Sequence, residues 1–336
     1  MQFFSPEQTD ALCKRSCAFA LYALPGGSIE FCMQADGGTT DSGEEGFMLA
    51  TYRGKRLLIR KELSTPPNAE RFPLLDSLSP RTDATTREQY HKLFTQYTTE
   101  LKNGHLQKVV LARTQDFSTQ SFSPTAAFLK ACQTSPRAFN ALFHTPEHGT
   151  WICSTPELLL RREGDTWHTM ALAGSRTEPQ AQWDAKNLQE HALVVAHILS
   201  CLNTTATAIT TDGPHTLAAG NTLEHLCTRI RFTMRPDALP ELLSTLPPTP
   251  AVSGYPTAEA RAFIQEHADI ERSCYAGYLG PIGKDSTHLF VTLRCMQVFP
   301  NMCRLYAGGG LMPDSEEESE WAETTAKMQS MLNLIR

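Results

Sequence analysis

Hydrophobic residues recur along this chain with two different periods, one typical of helices and the other typical of strands. In the stretch TTREQYHKLFTQYTTELKNG (85–104), the large apolar side chains are spaced by three or four positions, at Tyr90, Leu93, Tyr97 and Leu101. This spacing predicts an amphipathic helix, and the glycine at 104 is its stop signal. The stretch that follows, QKVVLARTQDF, is rich in β-branched and apolar residues and predicts a buried strand.

The remaining pattern predicts further strands and helices. The stretch TWICSTPELLLRREGDTWHTMALAGSR predicts a hairpin with its turn at residues 163–165. Helices are predicted from about Gln182 to Leu202, over residues 258–272, and from about Ser315 to Ile335. YAGYLGPIG, HLFVTLRCMQVF and MCRLYAGGG predict three strands. The proline-rich LPELLSTLPPTPAVSGYP predicts a loop, because proline disrupts the interior of a helix or a strand.

Successive strands joined by short turns favour antiparallel pairing, and the long helices between them supply a covering layer. We therefore predict an α+β fold with large, mostly antiparallel β-sheet layers covered by helices. Residues 1–85 are predicted to be a β-rich N-terminal part, and residues 86–336 to contain the chemistry. Both parts are expected to form one compact structural unit.

Composition and charge argue against several classes of function. The 36 acidic and 30 basic residues are mixed along the chain, so no Lys/Arg-rich block neutralises a nucleic-acid backbone, and we expect no nucleic-acid partner. The first residues lack the apolar core of a signal peptide, and no stretch reaches the ~20 apolar residues of a membrane span. We expect a cytoplasmic protein without a membrane segment, whose ten cysteines, lacking any CxxC pair, are reduced thiols.

The stretch YAGGGLMPDSEEESEWAETTAKM (306–328) combines three glycines with a cluster of carboxylates. On the predicted helix, Ser315 is the expected N-cap and residues 316–318 fill the first turn, where their negative charge disfavours a phosphate site. Glu320, Glu323 and Lys327 then share one face, beside an apolar stripe formed by Trp321, Met328, Leu332 and Ile335. That face fits either an ordinary solvated ion pair or a Mg²⁺ site, and a second carboxylate from elsewhere would distinguish them.

Several stretches together resemble the chorismate-utilising enzymes, most closely the isochorismate synthases. In the order expected of the family they are KVVLAR (108–113), STPELLLRR (154–162), ALAGSR (171–176), KNLQEHALVV (186–195), PTPAVSGYP (248–256), VTLRC (291–295), LYAGGGLMP (305–313) and EWAETTAKM (320–328). The resemblance implies that residues 86–336 form a chorismate-binding catalytic region and that the substrate and product are chorismate and isochorismate.

The resemblance also implies a Mg²⁺ site and supplies the second carboxylate. Glu190 and Glu323 would hold the metal, and Glu320 would act through metal-bound water. The metal would in turn bind the ring carboxylate of chorismate. The acidic helix would therefore contact an anion only through a cation.

The substrate-binding residues implied by the resemblance fall into two groups. Arg294 and Lys327 would bind the pyruvyl carboxylate, for which a planar guanidinium fork is well suited. Backbone or small side chains would line the rest of the site, at Gly308, Gly309, Gly174 and Ser175, with His225 as a further pocket residue. A glycine taken alone more often marks just a turn or a tight strand contact than a substrate site.

Isochorismate formation adds water at ring C2 while the C4 hydroxyl departs, so it requires a base and an acid. By resemblance the base is Lys108 and the acid is Glu157. Lys108 would need a lowered pKa, and Glu157 would need a raised one produced by desolvation. The structural alternatives are a strand-end lysine and an edge carboxylate, since charged side chains are mostly exposed.

Two positions separate this chain from its aminating relatives. The family's aminodeoxychorismate synthases typically have lysine where Ala173 stands, and its anthranilate synthases usually have glutamine where Lys108 stands. We therefore expect water as the nucleophile and no glutamine amidotransferase subunit. Salicylate synthase, which goes on to eliminate pyruvate, is the nearest alternative, and apolar side chains at Val252 and Leu293 favour stopping at isochorismate. The other pocket residues, Tyr275 and Tyr306, do not separate the two activities.

A non-catalytic protein that binds a chorismate-like metabolite is the alternative from another class. It would be expected to lack one of the acid, base or metal residues, and all of them are present. Menaquinone biosynthesis is the favoured pathway and siderophore biosynthesis the alternative. The protein is expected to be a monomer or a homodimer.

Overall fold

Two eight-stranded antiparallel sheets form the framework of the protein. A computed structural model describes residues 4–41, 43, 45–176, 182–218, 224–268 and 270–336. The first sheet contains, in spatial order, β12 (Gly254–Tyr255), β5 (Lys108–Ser118), β16 (Met302–Leu311), β15 (Cys295–Phe299), β7 (Gly149–Thr155), β6 (Phe139–Thr145), β1 (Phe19–Ala23) and β2 (Ile29–Met33). The second contains β10 (Thr207–Ala218), β11 (Glu224–Thr233), β9 (Thr166–Arg176), β8 (Leu158–Glu163), β14 (Ser286–Val291), β13 (Tyr278–Ile282), β3 (Gly46–Ala50) and β4 (Arg56–Ile59).

Seven α-helices accompany the sheets within the described ranges. They are α1 (Pro6–Leu12), α2 (Arg87–Lys102), α3 (Pro124–Thr134), α4 (Ala185–Thr205), α5 (Leu239–Thr245), α6 (Thr257–His267) and α7 (Glu317–Ile335). The predicted α+β class with antiparallel sheet layers is confirmed. The N-terminal strands belong to both sheets, because β1 and β2 pair in the first and β3 and β4 in the second.

The hydrophobic core lies on both faces of the first sheet because strand side chains alternate between faces. In β1, Ala20 and Tyr22 join the core that contains residues of both sheets, whereas Phe19 and Leu21 point to the opposite face. That opposite face is covered by buried residues of α1, α3 and α7. Helices α2, α4, α5 and α6 contribute to the core shared by the two sheets.

Several predicted elements agree closely with the structure. Helix α2 buries the predicted stripe and is followed by Gly104 at a positive φ of 82°. Strand β5 covers the predicted apolar run, and the hairpin of β8 and β9 turns at Gly164, also at positive φ. Helix α4 begins at Ala185 after Asp184, whose side chain accepts a hydrogen bond from the backbone N–H of Asn187.

Two predicted strands were wrong because each is divided between the two sheets. The run that includes residues 150–162 stops at Thr155 in β7 and resumes at Leu158 in β8. The run HLFVTLRCMQVF is likewise divided between β14 and β15, so its part of the chain forms four strands rather than three. The strands on either side of each break are apolar, because both sheets bury these flanking residues.

Three helix predictions also need correction. Residues 239–245, predicted as loop, form α5, since Pro240 lies in the first turn, where its missing N–H has no intrahelical acceptor. Helix α6 ends at His267 rather than at residue 272. The residues before 80, predicted as strands and turns, include α1, in which Ser5 and Gln8 form a capping box.

Helix α7 differs from its prediction at its start and on its buried face. Glu316, not Ser315, is the N-cap residue, and the Ser315 hydroxyl instead donates to Glu320. The fully buried positions are Glu320, Thr324, Met328, Met331 and Leu334. Of the predicted apolar stripe, Met328 is buried, whereas Trp321, Leu332 and Ile335 are half-buried.

A buried arginine joins α7 to strand β5. The Arg113 guanidinium lies 3.8 Å from the centre of the Trp321 ring and donates hydrogen bonds of 2.7 Å to the hydroxyls of Thr324 and Thr325. Burial, followed by the nearby charge of Arg87, lowers the pKa of Arg113 to about 10, so it remains a cation at neutral pH. This contact sets the position of α7 relative to β5.

The core between the sheets generates a stability prediction. Phe290 of β14 stacks on Phe139 of β6, with ring centres 4.3 Å apart, so the pair joins the two sheets. We expect Phe290→Ala to lower the free energy of unfolding by about 3–5 kcal/mol, because it removes buried ring contacts and leaves a cavity. The matched control is Leu74→Ala, whose side chain is 73% exposed, with an expected change within about 0.5 kcal/mol. Urea unfolding of both variants tests this, and equal midpoints would contradict it.

Candidate active site

At each of the two points where an apolar run is divided, the chain crosses from one sheet to the other. These crossings place polar residues in the interior. The chain crosses at residues 156–157, after β7, and at residues 292–294, before β15. The crossings are hydrogen-bonded to adjacent strand ends, through Val291 N–H to Glu157 O at 3.0 Å and Ser154 N–H to Arg294 O at 3.0 Å. Arg294 has a φ of 46°, in the left-handed region that non-glycine residues rarely adopt. Glu157 and Arg294 therefore face one pocket.

This pocket is a cavity of about 70 Å³ between the crossings, β16 and α4. Eight of the predicted site residues line it, namely Glu157, Gly174, Ser175, Glu190, His225, Arg294, Gly308 and Lys327. The four residues that the sequence placed around the ring also line it: Val252, Tyr275, Leu293 and Tyr306. Lys108, Gly309, Glu320 and Glu323 are not part of this lining.

Lys108 contacts Glu190 but does not itself line the pocket. Its side chain is 0% exposed, and its Nζ is 2.9 Å from Glu190 Oε1. Lys108 is the first residue of β5 and Glu190 lies in the second turn of α4, so the pair joins a strand to a helix. A buried lysine can carry a positive charge only beside a counter-charge, which Glu190 supplies at this position.

Two further lysines pair with the remaining carboxylates. Lys327 Nζ is 2.5 Å from Glu323 Oε1 and also donates to the backbone oxygen of Gly308 at 2.9 Å. Lys186 Nζ is 2.6 Å from Glu320 Oε1. Lys186 was not among the site residues predicted from the sequence, although its position four residues before Glu190 on α4 places it on the same helix face.

Glu320 is the most deeply buried of these carboxylates, at 2% exposure. Its Oε1 accepts hydrogen bonds from Lys186 and Ser315, whereas Oε2 has no partner among the described residues. Burial and then the charge of Glu323 raise the pKa of Glu320, against the effect of Lys186. Burial also favours a raised pKa for Glu323, but the adjacent Lys327 outweighs it and lowers that pKa.

Glu190 and Glu323 meet at a second, more open cavity beside the pocket. It is lined by both carboxylates together with Ser175, Lys186, Asn187 and Gly310. Carboxylates from α4 and α7 therefore face the same space. Among the described residues no set of three His, Cys, Asp or Glu side chains converges on one point, so a cation here would complete its coordination with water and substrate oxygens.

The glycine triplet divides between two faces of β16. A Cβ at Gly308 would lie 2.7 Å from the hydroxyl of Tyr275, and one at Gly310 would overlap the Glu190 carboxylate. Gly309, which the sequence placed beside the substrate carboxylate, points to the other face, where a Cβ would lie 2.6 Å from Glu320 Oε2. The side-chain alternation of a strand explains why Gly308 and Gly310 line the pocket together.

His225 is neutral and orients Arg294. Arginine can only donate, so the 3.0 Å contact from Arg294 Nη2 makes His225 Nε2 an acceptor and places the ring proton on Nδ1. Nδ1 is 3.1 Å from the carbonyl oxygen of Gly174, to which it donates. Burial, then the charges of Arg294 and Lys327, lower the pKa of His225 to about 3.

Glu157 is protonated at neutral pH. Burial raises its pKa from 4.5 to about 8, and Lys108, Lys327 and Arg294 lower it only in part. The pocket thus contains a neutral carboxylic acid in the same site as two cations, Arg294 and Lys327. Such an arrangement can bind an anion and donate a proton to it.

Comparison with known proteins agrees with this geometry. Residues 52–336 match the family model described as chorismate binding enzyme. The chain belongs to the chorismate binding enzyme family. The resemblance inferred from the sequence motifs is thereby confirmed at the level of the family.

Curated members of the chorismate binding enzyme family are similar to this chain over most of its length. The isochorismate synthase EntC of Escherichia coli (strain K12) is 31% identical over 245 residues, which are 68% of this chain and 62% of that protein. The salicylate biosynthesis isochorismate synthase of Pseudomonas aeruginosa is 32% identical over 316 residues, which are 86% of this chain and 63% of that protein. The matches therefore span about three fifths of these relatives.

The fold is shared with a solved structure. The menaquinone-specific isochorismate synthase MenF from Escherichia coli superposes with a TM-score of 0.80 at 22% identity, over 97% of this chain and 91% of that chain. In the part of this chain that the structure describes, no helix is long and apolar enough to cross a membrane.

The raised pKa of Glu157 predicts how stability depends on pH. Between pH 4.5 and about 8 the folded protein binds one more proton at Glu157 than the unfolded chain does, so stability falls as pH rises, by at most about 1.4 kcal/mol per unit. Glu157→Gln lacks this titration. We expect urea unfolding at pH 5, 6, 7 and 8 to show wild type losing stability relative to the variant, and a constant difference would contradict the assignment.

Proposed function

We propose that the protein is an isochorismate synthase that uses Mg²⁺ to convert chorismate to isochorismate. Water would add at ring C2 while the C4 hydroxyl departs. The observation that carries the proposal is the combination of a buried neutral Glu157 and a buried Lys108 beside one cation-lined pocket. The names of the relatives support the same activity.

The charge distribution of the pocket suits a dicarboxylate substrate. Chorismate carries a ring carboxylate and a pyruvyl carboxylate. We assign the pyruvyl group to Arg294 and Lys327, since both cations line the pocket and Arg294 is oriented by His225. The ring would then lie against the side chains of Tyr275 and Tyr306, which stack with centres 5.7 Å apart.

The proton transfers follow from the two buried titratable residues. Lys108, in its neutral form, would accept a proton from the water that attacks C2, and Glu190 at 2.9 Å would stabilise the ammonium so formed. Glu157 would donate its proton to the C4 oxygen, which leaves as water. One water is consumed and one released, so the reaction is an isomerisation.

Mg²⁺ fits the residues at the adjoining cavity. Glu190 and Glu323 both line it, Glu320 Oε2 is a buried carboxylate oxygen without a partner among the described residues, and oxygen ligands are those that Mg²⁺ prefers. We propose that Glu190 and Glu323 hold the ion and that Glu320 acts through a bound water. When bound, Mg²⁺ would neutralise the ring carboxylate of the substrate.

Location and partners are further parts of the proposal. All ten cysteines are free thiols, which suits a reducing compartment, and we infer a cytoplasmic protein. Chorismate and isochorismate would be its small-molecule partners, and no amidotransferase subunit is required because water is the nucleophile. Menaquinone biosynthesis remains the favoured pathway and siderophore biosynthesis the alternative.

Product analysis with chorismate and Mg²⁺ tests the activity. We expect isochorismate, whereas salicylate plus pyruvate would indicate a salicylate synthase and no product would indicate a non-catalytic binding protein.

Lys108→Ala and Glu157→Gln are each expected to lower kcat by about 10²–10⁴-fold, because each removes a proton-transfer group. Lys102→Ala, at an exposed position on α2, is the control. Near-normal turnover of Lys108→Ala would refute its role as base.

Direct metal binding tests the proposed Mg²⁺ ligands. Glu323→Gln is expected to weaken Mg²⁺ binding by about tenfold or more in isothermal titration calorimetry. Substituting a residue that only supports a metal ligand already weakens binding by about tenfold, and loss of the ligand itself should weaken it more. Glu316→Gln, at the exposed N-cap of the same helix, should bind Mg²⁺ like wild type. Unchanged affinity in Glu323→Gln would remove Glu323 from the site.

A further inference from the structure

A separate cavity of about 180 Å³ lies away from the candidate active site. Its walls come from the β3–β4 turn (residues 51–53 and 55), the β6–β7 turn at Glu147 and His148, the C-terminal part of α6 with Ala268, and residues 270–273. It adjoins a cavity of about 110 Å³ that shares four of its lining residues. An apolar cavity of about 150 Å³ in another protein holds a benzene ring, so this space fits one six-membered ring.

The charges around this cavity are not balanced. Glu147 pairs with Lys55 at 2.5 Å, and Glu271 pairs with Arg81 at 3.2 Å. Two cations of the lining, Arg53 and Arg272, have no carboxylate partner among the described residues. Among the lining residues that the structure describes, cations therefore outnumber carboxylates, which favours an anionic ligand.

Arg272 is the decisive cation because it is only 5% exposed. Its guanidinium donates to the carbonyl oxygens of Val110 at 2.6 Å and Val252 at 2.7 Å, and lies 4.4 Å from the centre of the Tyr52 ring. These contacts satisfy hydrogen bonds but supply no negative charge. A buried charge without a counter-charge is unfavourable, and an anion in the cavity would relieve it.

The remaining lining combines unsatisfied polar atoms with an apolar wall. Tyr52 Oη, His148 Nε2 and Arg272 Nε have no hydrogen-bond partner among the described residues. Ile264, Ala268 and Ile270 supply apolar surface. Burial lowers the pKa of His148, so its ring is neutral and adds no further charge. A ligand with a ring and one carboxylate matches both kinds of surface.

We propose that this cavity is a second ligand site, which binds a small cyclic monocarboxylate. The carboxylate would approach Arg272 and Arg53, and the ring would contact the apolar wall. The site does not depend on the proposed function, because ligand binding there requires no turnover.

Two chains of hydrogen bonds connect this cavity to the candidate active site. Arg272 donates to the backbone of Val110 and Val252, which both line the chorismate pocket. The carbonyl oxygen of His148 accepts from Gln297 Nε2 at 3.0 Å, and Gln297 Oε1 accepts from the hydroxyl of Tyr306, another pocket residue, at 3.1 Å. Occupation of one site should therefore alter affinity at the other.

The backbone between the two sites is constrained as well. Ser273 and Ala276, with φ values of 46° and 63°, flank the segment that contains Tyr275 of the chorismate pocket. Non-glycine residues in this region are held there by their surroundings. A shift at Ser273, which lines the second cavity, would thus be transmitted to Tyr275.

Benzoate is the probe that tests the site, with benzamide as its neutral isostere. In isothermal titration calorimetry we expect wild type to bind benzoate at least about tenfold more tightly than benzamide, because the carboxylate makes charge-assisted hydrogen bonds. Ala268→Phe should abolish binding by filling the cavity. Arg53→Ala, at an exposed position that tolerates truncation, should weaken it by about threefold. Arg294→Ala removes one of the two cations of the chorismate pocket and should leave benzoate binding intact.

Three results would overturn the proposal. They are failure of wild type to bind benzoate, loss of binding in Arg294→Ala together with its retention in Arg53→Ala, and equal affinity for benzoate and benzamide. If the protein proves active on chorismate, benzoate should give mixed inhibition, in which both KM and kcat change because the two sites are coupled, and Ala268→Phe should remove that inhibition. A purely competitive pattern would place benzoate in the chorismate pocket and also refute the proposal.

Discussion

The ion pair between Lys108 and Glu190 is the contact on which the arrangement of the candidate active site depends. A fully buried lysine can carry its charge only beside a negative group, and β5 and α4 lie close enough to bring Lys108 Nζ within 2.9 Å of Glu190 Oε1. A second pair joins α4 to α7, in which buried Glu320 lies beside the partly exposed Lys186. The two ion pairs thus fix the relative positions of β5, α4 and α7 more specifically than hydrophobic contacts alone would.

The second constraint comes from the passage of the chain between two sheets. At each crossing the backbone leaves the hydrogen-bonded strands of one sheet before it joins those of the other. The side chains of the residues between them can therefore face the interior. Glu157 and Arg294 occupy these positions, and neighbouring strand ends satisfy their backbone groups. A carboxyl group buried in this way keeps its proton, whereas the guanidinium keeps its charge and is oriented by neutral His225.

The wall of the pocket is shared with the rest of the protein. Tyr306 contacts the ring space on one side, while its hydroxyl donates to Gln297 on the other. Arg272 similarly supports the backbone of two pocket residues from outside. Pocket shape is therefore maintained by polar contacts that extend to a separate cavity, which is a physical basis for communication between the two.

The sequence by itself determined the elements whose signal is local. Helix α2, strand β5 and the turn at Gly164 follow from periodicity and from glycine, and ordered motifs identified the family and nominated Glu157 and Lys108. Only the tertiary structure decided where apolar runs divide between sheets, that Gly310 rather than Gly309 faces the pocket, and that Lys186 pairs with Glu320. A hydrophobic run indicates that its residues are buried, but not which of the two sheets they join. The ion pair between Lys186 and Glu320 links residues 134 positions apart, so no periodic pattern in the sequence predicts it.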